Sequence, residues 1–300
     1  MPETSPVGLG GSSVTVLFAK VRFTLEMIKF EHSVFALPFA LIGALLAVRG
    51  LPTWRQLFWL VVAMVGARSA AMTFNRVVDL RLDALNPRTK MRPLPAGQLS
   101  LRFAVGFAVL SCGLLVLAAH QLNPLAFTLS PVAIAILFGY SFTKRFTVLS
   151  HLILGLCLGM SPPAAWIALR GDLSVRVLLL GAAVTLWVAG FDMIYACQDV
   201  EFDHALGLHS IPRRYGIAAA LYASAALHGV MLVLLVVVAR MEHLGWIAAL
   251  GLAAVAGLLA YEHAIVKPSD LSRVNAAFFT VNGYIGLLFF VTWGADILIH

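Results

Sequence analysis

Charge is scarce in this sequence: Asp, Glu, Lys and Arg make up 12% of its 300 residues, and cysteine occurs three times. A water-soluble surface draws on roughly 25% charged residues, so an ordinary soluble domain is excluded. Cys112, Cys157 and Cys197 stand alone inside apolar runs, which rules out a disulfide framework and leaves them as small packing residues. His120, His151 and His243 lie at the ends of apolar runs with no metal-ligand spacing, and they read as interfacial. Residues 1–19 lack the charged start and apolar core of a signal peptide, so they read as a polar tail ahead of one domain over 20–300. The net charge of +7 is spread over short loops and forms no basic patch, which excludes nucleic acid as a partner.

Apolar sequence is abundant instead. At 61% hydrophobic residues and a mean hydropathy of +0.92, the chain reads as an all-α polytopic membrane protein in contact with membrane lipid. Nine spans are predicted, at 33–49, 57–78, 103–120, 124–142, 149–168, 177–198, 215–239, 244–265 and 276–298. With the N-terminus on the cytoplasmic side, that side holds fifteen Lys and Arg against five on the other, with Arg68 inside a span. Positive residues concentrate on the inside, so the N-terminus is predicted to be cytoplasmic and the C-terminus outside.

Acid is scarcest of all. Of eight Asp in the chain, five fall in two clusters at the ends of spans: Asp79 and Asp83, and Asp192, Asp199 and Asp203. Asn75, Asp79 and Asp83 are spaced four apart, as are Tyr195, Asp199 and Asp203 exactly 120 residues later. On a helix each set forms one oxygen-rich edge, with Asp192 a turn before Tyr195 on the same face. An Asp in the middle of a membrane helix costs about 2.5–3.5 kcal/mol, and facing carboxylates repel. A hard divalent cation removes both penalties, and Mg²⁺ takes few carboxylates together with phosphate oxygens, which suits a diphosphate ligand. Both edges open on the cytoplasmic side. The offset places the motifs at matching positions in two halves of four helices each, with one helix left over.

Around these edges stand cations with two readings each. Lys29 and His32 serve either as interfacial anchors or as contacts to an anionic substrate. Arg68 lies two turns below Asn75 on the same face, where a buried guanidinium needs an anion. Asn86 to Gly97 contains three prolines and places Arg88, Lys90 and Arg92 beside the first edge, as a solvated topology loop or as a lid. Tyr140 and Lys144 share a helix face, and Lys144 and Arg145 either mark topology or meet the ligand. Residues 207–216 form a second irregular basic loop. Glu262, His263, Asn275 and Asn282 read as packing or helix-end residues.

Asn75-x-x-x-Asp79-x-x-x-Asp83, Arg92-Pro93-Leu94-Pro95-Ala96-Gly97, Tyr140-x-x-x-Lys144-Arg145 and Asp192-x-x-Tyr195-x-x-x-Asp199-x-x-x-Asp203 resemble, in order and topology, the signature set of the UbiA superfamily of intramembrane prenyltransferases. The likeness runs from about residue 22 to the last span and is greatest to 4-hydroxybenzoate polyprenyltransferases and their menaquinone-pathway relatives. The first motif departs from many members in carrying Arg76, not an acid, after Asn75. The resemblance implies nine transmembrane helices around a central cavity with a portal to lipid. It implies that Asn75, Asp79, Asp83, Asp192, Tyr195, Asp199 and Asp203 are catalytic, with Mg²⁺ on Asp79, Asp83, Asp199 and Asp203. Lys29, His32, Arg68, Arg88, Arg92, Tyr140, Lys144 and Arg145 then contact substrate. The reaction implied is polyprenyl transfer from a polyprenyl diphosphate to an aromatic acid of the 4-hydroxybenzoate type in quinone biosynthesis. The alternative acceptor is a dihydroxynaphthoate of a menaquinone route, which the Lys29–His32 and Arg68–Phe74 runs suggest almost as strongly. The place implied is the bacterial inner membrane, with the site facing the cytoplasm. A transporter would set its charges near the midplane, whereas both clusters here end their spans.

Overall fold

The computed structural model describes residues 13–29 and 37–299, and every regular element among them is helical. In order these are α1 (Ser13–Met27), α2 (Leu37–Val48), α3 (Trp54–Val78), α4 (Leu80–Leu85), α5 (Leu101–Leu122), α6 (Pro124–Thr143), α7 (Ser150–Gly159), α8 (Ser161–Arg170), α9 (Val175–Ala196), α10 (Val200–Ala205), α11 (Ile211–Tyr215), α12 (Ile217–Met241), α13 (Trp246–Ile265) and α14 (Asn282–Ile299). A π-helical turn, Ala276–Val281, leads into α14. Eight stretches among the described residues are long and apolar enough to cross a membrane, with α7 and α8 forming one and α9 running on through α10 to Ala205. They match eight of the nine expected spans. The remaining one, expected at 33–49, overlaps the 12-residue apolar helix α2. The stretch read as a tail is helical from Ser13 onward, and α1, which carries Lys20, Arg22 and Glu26, has no apolar run that would mark it as a span.

α9 is predominantly apolar and buried over most of its length, packed against α7, α8 and α12. Small residues let these backbones approach: a Cβ added to Gly181 would meet the Gly159 carbonyl oxygen at 2.6 Å. From α2, Phe39 reaches the same core, its ring 5.0 Å from Trp187 and 4.8 Å from Phe289. Several polar groups at this depth are paired, although Trp293 Nε1 and Glu262 Oε2 have no hydrogen-bond partner among the described residues. Asn282 accepts from Trp187 Nε1 at 2.7 Å and donates to Glu262 at 2.8 Å. Pro131 inside α6 cannot donate to the Phe127 carbonyl, and the Ser130 hydroxyl does so instead at 2.8 Å. At the end of the bundle remote from the acidic edges, Glu242 meets Arg49 at 2.5 Å, and Asp296 accepts from the N–H groups of Gly245 and Ala248 at the start of α13. The segments that follow α3, α6 and α9 at the opposite end form the site.

Candidate active site

Neither acidic edge is the continuous helix that its spacing predicts. Each breaks at its middle aspartate: α3 ends at Val78 and α4 begins at Leu80, with Asp79 between them at φ −94°, ψ 9°. Likewise α9 tightens into a 3₁₀ turn, Cys197–Asp199, and α10 follows Asp199 at φ −102°, ψ 8°. Both aspartates occupy the sparsely populated bridge region, which recurs at active sites. The Asp79 N–H is drawn to the Val77 carbonyl as well as to that of Asn75, and this tightening ends the α-helix. The 120-residue offset carries over to the fold, for α4 at 80–85 maps onto α10 at 200–205.

The carboxylates are held apart by basic groups, and no three His, Cys, Asp or Glu among the described residues lie close enough to share a metal ion. Asp79 accepts from Asn75 at 3.1 Å and from Arg145 at 3.0 Å, and Arg145 also donates to the Val78 carbonyl. Asp83 is gripped by Arg92 at 2.7 Å and Arg76 at 3.3 Å. Asp199 takes both Nη2 and Nε of Arg88, at 2.6 and 3.1 Å, while Arg88 Nη1 donates to the Tyr195 hydroxyl at 2.9 Å. Asp203 accepts from the Ser210 hydroxyl at 2.7 Å, and Asp192 pairs with His151 at 2.7 Å.

Two expectations change here. Arg88, expected beside the first edge, crosses to the second, so the loop at 86–97 ties the edges together, Arg92 on one and Arg88 on the other. His151, expected at the membrane interface, is 1% exposed and lies on Asp192. Sequence reasoning also passed over Arg76 as a site residue. Its spacing of seven from Asp83 puts both on one helix face, a signal that was available. Burial pushes the Asp79 carboxyl above its ordinary value, against the hydrogen bond from Arg145. For the Arg88 guanidinium burial works downward, but the Asp199 hydrogen bonds and charge outweigh it and hold the group above its ordinary value.

Of the remaining candidates, Lys144 caps α6 and its carbonyl accepts from the His209 N–H at 2.7 Å, joining the second basic loop to α6. Arg68 donates to the Lys29 carbonyl at 2.7 Å, which ties α3 to the end of α1. His32 lies outside the described residues.

Below the edges is a cavity of about 380 Å³ whose walls are strongly apolar. Tyr140 and Asn75 line its upper end, and α3 continues the wall through Ala71, Arg68, Ala67 and Ala63 to Leu60. The fifteen residue-to-residue rises from Leu60 to Asn75 span roughly 22 Å. The expected central cavity is displaced: its lining comes from α3, α5, α6, α7 and α8, to one side of the solid α9 core. Leu129 and Val132 of α6 line the cavity and are themselves exposed, which points to an opening on the α6 side.

The sequence pattern of the UbiA prenyltransferase family matches residues 36–290. The chain belongs to the UbiA prenyltransferase family. It is an integral membrane prenyltransferase. Among curated UbiA relatives, the 4-hydroxybenzoate octaprenyltransferase of Vibrio parahaemolyticus is 31% identical over 244 residues, which covers 81% of this chain and 85% of the relative. That of Vibrio cholerae is 34% identical over 248 residues, again covering 81% and 85%. Among solved structures, the apo UbiA homologue from Aeropyrum pernix K1 is 38% identical with a TM-score of 0.80, over 90% of this chain and 98% of that one. A UbiA homologue from Archaeoglobus fulgidus bound to DMAPP and Mg²⁺ has a TM-score of 0.73 at 20% identity, over 92% and 99%, and shares the fold.

Proposed function

We propose that this UbiA-family enzyme transfers a polyprenyl group from a polyprenyl diphosphate to an aromatic acid of the 4-hydroxybenzoate type, with Mg²⁺, at a site facing the cytoplasm of the bacterial inner membrane. The observation that carries the reading is the stacking of parts: two acidic edges bridged by arginines stand over an apolar cavity that opens sideways. An ionic head is recognised above and a long apolar tail below. The names of the curated relatives support the aromatic acceptor, the ligands of the Archaeoglobus homologue support donor and metal, and the fifteen-to-five distribution of cations supports the orientation and a ninth span at 33–49.

The residues fit Mg²⁺ in their chemistry. Asp79, Asp83, Asp199 and Asp203 offer only oxygen, and Asp203 Oδ1 is buried without a hydrogen-bond partner among the described residues. Bound there, the ion would neutralise the charge that grows on the departing diphosphate. The arginines on the other carboxylate oxygens must give way as it binds, and a diphosphate offers them a replacement. Arg88, Arg92, Arg145 and Lys144 then meet phosphate oxygens through charge-assisted hydrogen bonds. The prenyl C–O bond breaks with its electron pair leaving on the diphosphate, a ring carbon of the acceptor bonds to the prenyl carbon, and the ring proton departs. Apolar walls keep water from the allylic cation. The test is an acceptor screen with purified protein, Mg²⁺ and a polyprenyl diphosphate, offering 4-hydroxybenzoate and dihydroxynaphthoates in parallel. Prenylated 4-hydroxybenzoate is the expected product. Exclusive use of a dihydroxynaphthoate would move the enzyme to the menaquinone route, and turnover of neither would overturn the reading.

A further inference from the structure

Asp192 differs from Tyr195 and Asp199 on the second edge, because no arginine meets it. Its partner is His151, and the second nitrogen of that ring, Nε2, receives the backbone N–H of Ile211 at 3.4 Å. A backbone N–H only donates, so the ring proton sits on Nδ1 and is donated to Asp192 Oδ2. Ile211 follows Ser210, whose hydroxyl donates to Asp203. Adjacent residues of one loop therefore hold both ends of an edge three turns long, Asp203 directly and Asp192 through His151. Asp192 Oδ1 makes no hydrogen bond among the described residues, and the side chain is 19% exposed. Tyr140, on the cavity wall, is within electrostatic reach of Asp192, and His151 stands one turn before the lining residue Leu154 on α7.

We propose that His151 is a positioning residue for the acceptor. It anchors Asp192 by Oδ2, which leaves Oδ1 to receive the hydroxyl of the aromatic acid, and it makes that orientation depend on the loop at 206–211 being in place. The inference rests on the aromatic-acceptor reading above. A His–Asp pair that merely bolted α7 to α9 would need neither the free oxygen nor the loop contact.

Three variants separate the roles. Asn at position 151 places an amide near Nδ1 and can still donate to Asp192; Gln places its amide near Nε2 and can meet Ile211 only; Phe does neither. Each is purified in detergent and assayed with Mg²⁺, geranyl diphosphate and whichever of 4-hydroxybenzoate or dihydroxynaphthoate the wild type turns over. For His151→Gln and His151→Phe kcat is expected to fall by about 10- to 100-fold, the range for lost outer-shell partners, at an unchanged KM for geranyl diphosphate. His151→Asn keeps the hydrogen bond to Asp192 and loses only the loop contact, so its kcat is expected to lie between the wild type and these two. Equal kcat in all three variants and the wild type overturns the role, and so does an equal loss in all three with lowered melting temperature and raised donor KM. A wild type inert to both acids overturns the acceptor reading, and the inference with it.

Discussion

Lys144 offers the sharpest test of how the diphosphate is held. Its ammonium makes no hydrogen bond or ion pair among the described residues, although its charge reaches Asp79. The link to the second loop runs through its backbone carbonyl, which any side chain preserves. Lys144→Gln therefore removes a charge and no structural contact, and stability in detergent should stay within about 0.5 kcal/mol. If the ammonium grips the donor, losing one charge-assisted hydrogen bond in a partly dry site costs about 1.5–3 kcal/mol, or roughly one to two decades in kcat/KM. The loss should fall on the prenyl diphosphate and largely spare the aromatic acid. Steady-state kinetics with each substrate varied in turn reads this directly, and a thermal melt provides the folding control. Unchanged kcat/KM for the donor would refute the argument and reduce Lys144 to a topology marker.

Asp199→Asn and Asp79→Asn should each abolish prenyl transfer while the protein remains inserted, as judged by turnover and by yield in the membrane fraction. Chelation with EDTA should stop the reaction and added Mg²⁺ restore it, which turnover in metal-free membranes would contradict. Ala67→Phe narrows the cavity at mid-depth, so the ratio of geranyl to octaprenyl diphosphate use should rise in competition assays. Asp296→Ala leaves the Gly245 and Ala248 N–H groups at the start of α13 without their cap and should cost about 1–3 kcal/mol, read as a lower melting temperature with kinetics intact.

Much of this was legible in the sequence because it is local. Apolar length marks spans, four-residue spacing marks an edge, and prolines mark the loop at 86–97, all within reach of helix periodicity. Missed features belong to other scales. The breaks at Asp79 and Asp199 follow from how a terminal turn tightens, which spacing alone cannot register. Arg88 and Asp199 are 111 residues apart, and nothing in either neighbourhood tells that they meet. His151 looked like an end-of-span histidine because its meaning lies in α9 and the loop before α11. The shift of the cavity away from the centre has a similar origin: Gly155, Gly159 and Gly181 draw α7 tightly onto α9 and leave the room on the other side, among the alanines of α3.

Arg88 also bears on turnover. It lies on Asp199, so on the proposed function the mouth of the enzyme carries a tethered competitor for the metal and the product. Donor affinity then reflects the difference between two pairings, not the full strength of either, which keeps a highly charged head group from binding too tightly to leave. When the diphosphate departs, the carboxylate is claimed by a side chain already within reach, with no wait for a cation from solution. A site that resets itself in this way can make strong contacts during bond breaking and still release what it has made.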